Sequence, residues 1–559
     1  MKPIWKTLLS ACIVLGVTLA IGLAAEATLR LFVKSAPTYL TYEFYSNLPG
    51  DLQPNADVVD NLIAGLPYHV STDAAGFRGK CGPRPTAAGK RVVRILCLGD
   101  SFTYGIGVPN EETYPNLLRT MLEERFPDIA FDVINAGIPF FDIVDALDYW
   151  EEKGRNLKPD LVICQFYNND IQTMNGSSFR RTRRLPARQY HPLATFLANT
   201  RISQLTAAVA YKLDAGRFRA GDTGRPVDPW YAGRYCPDQD ERQAAILGDT
   251  GKLLDAANNE ALACRWAAYY RNLLELKNSV AKTQAQFVFI NIPDRAQLSR
   301  NLTGPSTYLN SRLAADGIRA IDYLPLFREL FNRHDTELYN HPYDFHTNKT
   351  GNAVIAHELA AILTPGQTAG GLSLADHPNP GYPALREIRL AYDGTTLVPQ
   401  NADNVLAVET SRQGIRFQGQ DTDRDHVEAT SDNAVAGELE IRILFAKPCT
   451  DFGLGLNPVI WTDGPNGGVS GYAAFDGQQE TAIISRTRPV ARSDRFLFEH
   501  HSPDAPFSQV TLRFRIAKET GLVFDKASAQ NGHFTILSNA AASPDHAPPP
   551  LAHQPQPAY

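Results

Sequence analysis

Five short apolar runs, separated by segments of helical periodicity, most constrain what this chain can fold into. Two of the intervening segments are TYPNLLRTMLEERF (113–126) and FDIVDALDYWEEKG (141–154). Strands that alternate with helices form a parallel sheet covered by helices. We therefore predict an α/β fold with a doubly wound, flavodoxin-like, parallel five-stranded sheet and helices on both faces. The predicted strands lie in VVRILCLG (92–99), FDVINAG (131–137), PDLVICQFYNND (159–170), AQFVFINIP (285–293) and GIRAIDYLP (317–325).

The first run ends abruptly in Gly99-Asp100-Ser101, within RILCLGDSFTYGIG (94–107). In such sheets ligands bind at the carboxyl ends of the strands. A serine on a tight strand-to-helix turn has its hydroxyl exposed above the sheet, close to the free N–H groups of the next helix. That placement suits a nucleophile whose reaction creates an oxyanion. Asp100 is expected to bond the amides of the turn.

The first three of four separated motifs follow strand ends. LGDSFTYG contains Ser101, and INAGIPFF contains Gly137 after the second strand. FYNND supplies Asn169 and Asp170 after the third strand, with Tyr167 as its second residue. The fourth motif, YDFHTNKTGNAVIAHELAAIL (343–363), precedes the last predicted helix of this region and contains Asp344 and His346.

Together these motifs resemble the SGNH (GDSL-like) hydrolase family, in its membrane-anchored bacterial type, over about residues 68 to 364. The resemblance implies that Ser101 is the nucleophile, that His346 is the base and that Asp344 orients the base. It also implies an oxyanion hole made of the Ser101 N–H, the Gly137 N–H and the Asn169 side-chain amide.

Two positions depart from the family pattern. Tyr167 stands where a glycine is usual, and Asp344-Phe345-His346 is one residue shorter than the commoner Asp-x-x-His spacing. Residues i and i+2 of an extended segment project to the same side, so Asp344 is still able to hold the His346 ring. His334 and His341 are close in sequence, but only His346 is followed by TNKTG and an apolar helix.

The function that the resemblance implies is a serine esterase that works through an acyl-enzyme, with O-acetyl groups on a carbohydrate as the expected substrate. An O-acetyltransferase that modifies an exported polysaccharide or cell-wall glycan is the alternative, and a membrane-bound acyl donor is a candidate partner. A non-catalytic glycan-binding protein is the second alternative. We expect no cofactor and no metal, because the sequence has no His/Cys cluster at metal spacing and no phosphate-binding glycine loop. A net charge of −6 does not favour a nucleic-acid partner.

The N-terminus carries an uncharged apolar segment, TLLSACIVLGVTLAIGLAA (7–25), preceded by Lys2 and Lys6. About 20 apolar residues span a bilayer as a helix. We predict a single-pass anchor in the inner membrane, with the bulk of the chain periplasmic or extracellular. Cleavage near Ala25 or Ala27 is the alternative.

A chain of 559 residues is expected to form more than one domain. The runs ELEIRIL (438–444) and TLRFRIA (511–517) alternate apolar and charged residues, which predicts a C-terminal all-β sandwich. Cys81, Cys236 and Cys264 are candidates for disulfide pairing, and the sequence leaves the pairs open. The cluster RRTRR (180–184) is either a solvated surface run or an anion-binding segment. The predicted organisation is an anchor (1–34), a lead-in segment (35–90), a hydrolase domain (91–365) with an insert (171–284), a β-sandwich domain (384–540) and a disordered tail (541–559).

Overall fold

The computed structural model describes residues 2–32, 51–60, 63, 65–79, 89–174, 196, 200–206, 209, 233–236, 240–333, 336–365, 372–374, 386–400, 404–419, 424–429, 436–460, 468–486, 496–502, 504–517, 520–526 and 534–538. The RRTRR cluster, Cys81, His334 and the tail 541–559 lie outside these residues.

The chain divides into two compact units. The first comprises Met1–Arg295, Leu302–Pro325 and Glu337–Pro380. The second comprises Ala296–Asn301, Leu326–Thr336 and Gly381–Tyr559.

The N-terminal apolar segment forms a single helix, α1 (Lys2–Phe32). Its part Leu9–Phe32 has a mean hydropathy of 2.0 and is, among the described residues, the one helix long and apolar enough to cross a membrane. A signal sequence near the N-terminus meets the same criterion of length and apolar composition.

The central element of the first unit is a five-stranded parallel sheet with the strand order β4-β3-β5-β6-β7. This order means that the chain moves to one side of β3 for β4 and then to its other side for β5. The predicted doubly wound α/β fold is confirmed. The strands are β3 (Arg91–Gly99), β4 (Ile129–Gly137), β5 (Leu161–Phe166), β6 (Gln286–Asn291) and β7 (Arg319–Asp322).

Burial on both faces explains why these strands read as continuous apolar runs. Ile95, Leu96, Cys97 and Leu98 are successive residues of β3, and none of them is exposed. Alternate residues of a strand face opposite sides of the sheet, so both sides of β3 are covered. The strands β1 (Asp57–Asp60) and β2 (Tyr68–Ser71) precede this sheet as an antiparallel pair.

Helices and short 3-10 turns connect the strands. After α1 the helices are α2 (Ser101–Tyr104), α3 (Tyr114–Arg125), α4 (Ile143–Glu152), α5 (Asn169–Thr173), α6 (Glu241–Leu247), α7 (Thr250–Leu254), α8 (Ala263–Ala281), α9 (Arg295–Leu298), α10 (Gly304–Ala315), α11 (Leu324–Arg333) and α12 (Lys349–Ile362). The 3-10 turns are Asn110–Glu112, Gly154–Leu157 and Ala256–Asn258. The antiparallel strands β8 (Leu363–Pro365) and β9 (Leu372–Leu374) follow α12.

A disulfide joins Cys236 to Cys264 at the start of α8, with a Cα–Cα distance of 5.7 Å. It assigns the pair that the sequence leaves open. Cys97, Cys164 and Cys449 are buried free thiols, and Cys12 is a free thiol on α1.

The second unit contains two β-sheets, as predicted. One has the order β11-β10-β22-β16-β21-β14-β13 with β19 beside β16, and the other has the order β12-β15-β20-β17-β18. ELEIRIL and TLRFRIA lie in β15 and β20 and face each other, with Leu439 opposite Phe514 and Ile441 opposite Leu512. The strands are β10 (Arg386–Tyr392), β11 (Leu397–Gln400), β12 (Val405–Gln413), β13 (Ile415–Gly419), β14 (Arg424–Ala429), β15 (Ala436–Cys449), β16 (Asp451–Ile460), β17 (Val469–Phe475), β18 (Thr481–Arg486), β19 (Phe496–His501), β20 (Phe507–Ala517), β21 (Thr520–Lys526) and β22 (Thr535–Ser538).

Candidate active site

Ser101 is the first residue of α2, immediately beyond the carboxyl end of β3. Asp100 is the N-cap of this helix, and its carboxylate accepts a hydrogen bond from the Phe102 N–H at 2.9 Å. The helix is only one turn long, because Gly105 ends it in the left-handed conformation (φ 88°). The longer predicted helix, α3, begins at Tyr114. Ser101 is therefore held on a tight turn, and it is 6% exposed.

A hydrogen-bonded chain connects Ser101, His346 and Asp344. The Ser101 Oγ lies 2.7 Å from His346 Nε2. The other ring nitrogen of His346, Nδ1, is hydrogen-bonded to the Asp344 carboxylate. The structure thus brings Ser101, at the carboxyl edge of the sheet, next to Asp344 and His346, although Ser101 and His346 are 245 positions apart in the sequence.

A compact turn, rather than an extended segment, accommodates the short Asp-x-His spacing. The N–H groups of Tyr343 and Asp344 both donate to the Asn340 carbonyl, at 2.9 and 3.0 Å. The Asn340 N–H donates to the carbonyl of His346 at 2.8 Å, which closes the loop on itself. In this turn the Asp344 carboxylate accepts from the backbone N–H of His346 at 3.2 Å as well as from its ring.

The environment of Asp344 favours its ionised form. Burial opposes ionisation, but the hydrogen bonds from His346 and its positive potential outweigh burial and hold the pKa of this carboxyl below its ordinary value. An ionised Asp344 is the form that accepts from the Nδ1–H of His346, which leaves Nε2 as the acceptor for the serine hydroxyl.

Gly137 has a hydrogen-bond partner within the chain, because its N–H donates to the side-chain oxygen of Asn135 at 3.0 Å. The backbone around Gly137 leaves no room for a side chain, since a Cβ there would lie 2.1 Å from the Tyr104 nitrogen. Gly137 therefore lets the end of β4 approach the turn that contains Ser101.

Asn169 lies at the start of α5, next to the turn of Ser101. Its Nδ2 donates to Asp100 Oδ2 at 2.9 Å. The amide nitrogen carries two N–H bonds, and this contact uses one of them. Asn169 Oδ1 is buried and has no hydrogen-bond partner among the described residues. Asp170, the next residue, is buried, and burial raises its pKa well above the ordinary value.

Tyr167 fills the place where the family has glycine and makes contacts that a glycine lacks. Its ring lies 4.0 Å from the ring of Phe102. Its hydroxyl donates to Asp294 Oδ2 at 2.5 Å, beyond the end of β6. Burial and the charge of Asp294 raise the pKa of Tyr167 well above its ordinary value, so the phenol stays protonated and donates.

Arg78 is a supporting residue that the sequence analysis missed. It is 1% exposed and lies after β2, in the segment interpreted as a lead-in. Its guanidinium donates to the carbonyls of Tyr104, Gly105 (2.6 Å) and Val108 (2.5 Å), and to Asn110 Oδ1 (2.9 Å). It therefore fixes the loop after the Ser101 turn. One arginine in a short segment gives no periodic signal, and its partners are 26 to 32 positions away.

No group of three or more His, Cys, Asp or Glu side chains is placed to hold a metal ion within the described ranges.

A comparison with the sequence models of known protein families agrees with this architecture. The sequence model of the family described as GDSL-like Lipase/Acylhydrolase matches residues 95–359. No curated protein matches the chain.

Solved structures similar to this chain include a two-domain esterase active on acetylated mannans, at 11% identity and a TM-score of 0.27, covering 82% of this chain and 94% of that chain. LAE5, an α/β hydrolase from the metagenome of Lake Arreo, is similar at 15% identity and a TM-score of 0.28, covering 49% of this chain and 95% of that chain. A catalytic mutant of an acetylxylan esterase from Geobacillus stearothermophilus is similar at 11% identity and a TM-score of 0.27, covering 49% of this chain and 94% of that chain. From the family match over residues 95–359, the chain carries a GDSL-like lipase/acylhydrolase domain, the domain of an ester-hydrolysing enzyme.

Proposed function

We propose that this protein is a serine esterase that removes short acyl groups, O-acetyl above all, from a carbohydrate. The observation that carries the proposal is the contact of Ser101 Oγ with His346 Nε2 at 2.7 Å, together with the bond from His346 Nδ1 to Asp344. A serine hydroxyl is a weak nucleophile alone and is activated by an adjacent, oriented base.

In the proposed reaction, Ser101 Oγ attacks the ester carbonyl while its proton moves to His346 Nε2. The tetrahedral intermediate then breaks its bond to the leaving alkoxide, which takes that proton. Water repeats the sequence on the acyl-enzyme and releases the acid. Asp344 keeps the His346 ring in the required tautomer and stabilises the imidazolium that forms in each step.

The negative charge that develops on the carbonyl oxygen needs donors. We assign this role to the Ser101 N–H and to the second N–H of the Asn169 amide, because Asp100 occupies only the first. The Asp100 contact fixes the Asn169 side chain before the substrate arrives, so little reorganisation is needed during the reaction.

A short acyl group fits the surroundings of Ser101. Phe102 is 1% exposed, Tyr167 is 3% exposed and His346 is 5% exposed. The Phe102 ring lies 4.0 Å from Tyr167 and 4.8 Å from His346. Rings packed this closely around the nucleophile support a small acyl group rather than a long lipid chain.

For the cellular setting, we propose that α1 anchors the protein in the inner membrane with the remaining chain periplasmic or extracellular. The apolar part Leu9–Phe32 supports the anchor. An exported position gives the enzyme access to a polysaccharide outside the cytoplasm.

The experiment is turnover of an aryl acetate by the full chain in detergent, with and without a neutral oligosaccharide acceptor. Hydrolysis predicts that acetate and the phenol appear in equal amounts in both conditions. If the acetyl group is recovered on the oligosaccharide instead, the protein is an O-acetyltransferase. If the wild-type chain gives no turnover at all, the proposal is wrong.

A further inference from the structure

Exposed aromatic side chains are concentrated near the candidate active site. Outside α1 and residues 196–209, the described part of the first compact unit has five exposed large hydrophobic residues. Two of them are valines, and the other three are aromatic. The five are Val59, Val92, Phe140, Tyr343 and Phe345.

The three aromatic residues lie on only two loops. Phe140 is on the loop that leaves β4 after Gly137, and Tyr343 and Phe345 are on the loop that holds Asp344 and His346. Single exposed apolar residues are common on protein surfaces, whereas several of them at one place are informative, because leaving apolar surface in water costs about 25 cal/mol for each Å². One loop follows the carboxyl end of β4, and the other holds the His346 that contacts Ser101.

Phe345 packs directly against the candidate base. Its ring is stacked on that of His346, with centroids 4.3 Å apart. It is also nearly parallel to the ring of Tyr167, with centroids 6.1 Å apart and an interplanar angle of 11°. It is nevertheless 50% exposed, whereas His346 is 5% exposed. Phe345 thus presents an aromatic surface to solvent beside the imidazole that contacts Ser101.

Phe140 is held in an unfavourable backbone conformation. Its φ of 70° lies in the left-handed region, which is uncommon for a bulky residue other than glycine. Such a conformation costs on the order of 1 kcal/mol and is retained at sites where the surrounding structure or a function requires it. The Phe140 side chain is 48% exposed, so about half of it faces solvent.

We propose that Phe345 and Phe140 form a subsite for the pyranose ring whose hydroxyl carries the acyl group. A pyranose has an apolar C–H face and a polar rim. An aromatic surface buries the face while the hydroxyls remain in water. The two side chains of the proposed platform are uncharged, which suits a neutral sugar. This inference rests on the proposed function and names the part of the substrate that it recognises.

The test measures binding of deacetylated sugars, which needs no chemistry. The full chain is purified in a detergent without a sugar headgroup and titrated with mannopentaose and xylopentaose. The Phe345→Leu variant keeps apolar volume but loses the flat ring, and we expect its dissociation constant to rise about three- to tenfold. We expect the same direction for Phe140→Leu.

Two further variants keep the test falsifiable. Phe345→Trp retains an aromatic face, so its dissociation constant should stay within about twofold of the wild-type value. Val92→Ala changes an exposed apolar residue near the amino end of β3 and should leave the affinity unchanged. Equal affinity for Phe345→Leu and wild type would overturn the subsite, as would absence of binding of both sugars to the wild type.

The subsite and the esterase fail in different ways. Sugar binding that depends on Phe345, in a protein that turns over no ester, would overturn the proposed function and support the subsite. Turnover of an aryl acetate together with sugar binding that is insensitive to Phe345→Leu would support the esterase and overturn the subsite.

Discussion

At the scale of single residues, Asp100 does more than cap the turn that contains Ser101. One carboxylate oxygen caps α2 at the Phe102 N–H, and the other accepts from Asn169. The Asp100 N–H donates to Gln165 Oε1 at 3.1 Å. Burial raises the pKa of Asp100, although the bonds from Phe102 and Asn169 act in the opposite direction. Asp100 therefore links the serine turn to the proposed oxyanion donor.

Asn169→Ala tests that donor. We expect kcat to fall by about 10²–10³ with little change in KM, because the bond strengthens only as the carbonyl oxygen gains charge. If Asn169 serves only to hold Asp100, the variant loses thermal stability but keeps its rate per folded molecule. Turnover and thermal midpoint should be measured on the same sample, and a destabilised but fully active variant would remove Asn169 from the site.

Asp344 gives a prediction about pH. The pKa of this carboxyl is lower in the folded protein than in the unfolded chain, where it is about 3.9. Ionisation of Asp344 therefore stabilises the folded protein at pH values above the unfolded-state pKa, and this contribution is lost as the pH falls through the folded-state pKa. The difference in thermal midpoint between the wild type and Asp344→Asn should therefore be full at pH 6 and shrink toward pH 3. A difference that stays constant over this interval would contradict the assignment.

At the scale of elements, the loop after α2 depends on the segment that follows β2. The N–H groups of Gly105 and Ile106 both donate to the Ser101 carbonyl, at 2.9 and 3.1 Å, so this loop also holds the serine. Arg78 fixes the loop from the other side through its carbonyls.

Arg78→Lys should lower both stability and turnover. Lysine has three N–H donors on one atom and is unable to reproduce the planar contacts of the guanidinium, so at least one buried carbonyl loses its partner. We expect a loss of about 1–3 kcal/mol in the free energy of unfolding, with slower turnover per folded molecule. The matched control is Arg155→Lys, an exposed arginine paired with Glu151. Equal, small effects in both variants would show that Arg78 does not support the site.

The elements differ in how far the sequence predicts them. Strands β3, β4 and β5 are the most predictable, because successive residues on both of their faces are buried, which makes the apolar runs continuous. The role of Arg78 and the Tyr167–Asp294 bond depend on residues brought together by the fold, and no local pattern reports them. Gly137 shows the intermediate case: its need for close approach is predictable, whereas the bond of its N–H to Asn135 is not.

At the scale of the whole molecule, the predicted anchor determines where the enzyme works. With α1 retained, the protein should stay with membranes after high-salt and alkaline washing, because an apolar helix of this length does not leave a bilayer under these conditions. The measurement is immunodetection in washed membranes with N-terminal sequencing. A mature chain that begins near residue 28 in the soluble exported fraction would show cleavage instead.

The central claim is that His346 activates Ser101. The most direct measurement is covalent labelling of the full chain with an organophosphonate ester, followed by peptide mass spectrometry. We predict a label on Ser101, formed at least about 100-fold more slowly in His346→Ala. In His341→Ala, which changes an exposed histidine of the same loop, labelling should proceed at the wild-type rate. A label on another residue, or wild-type labelling in His346→Ala, would contradict the account.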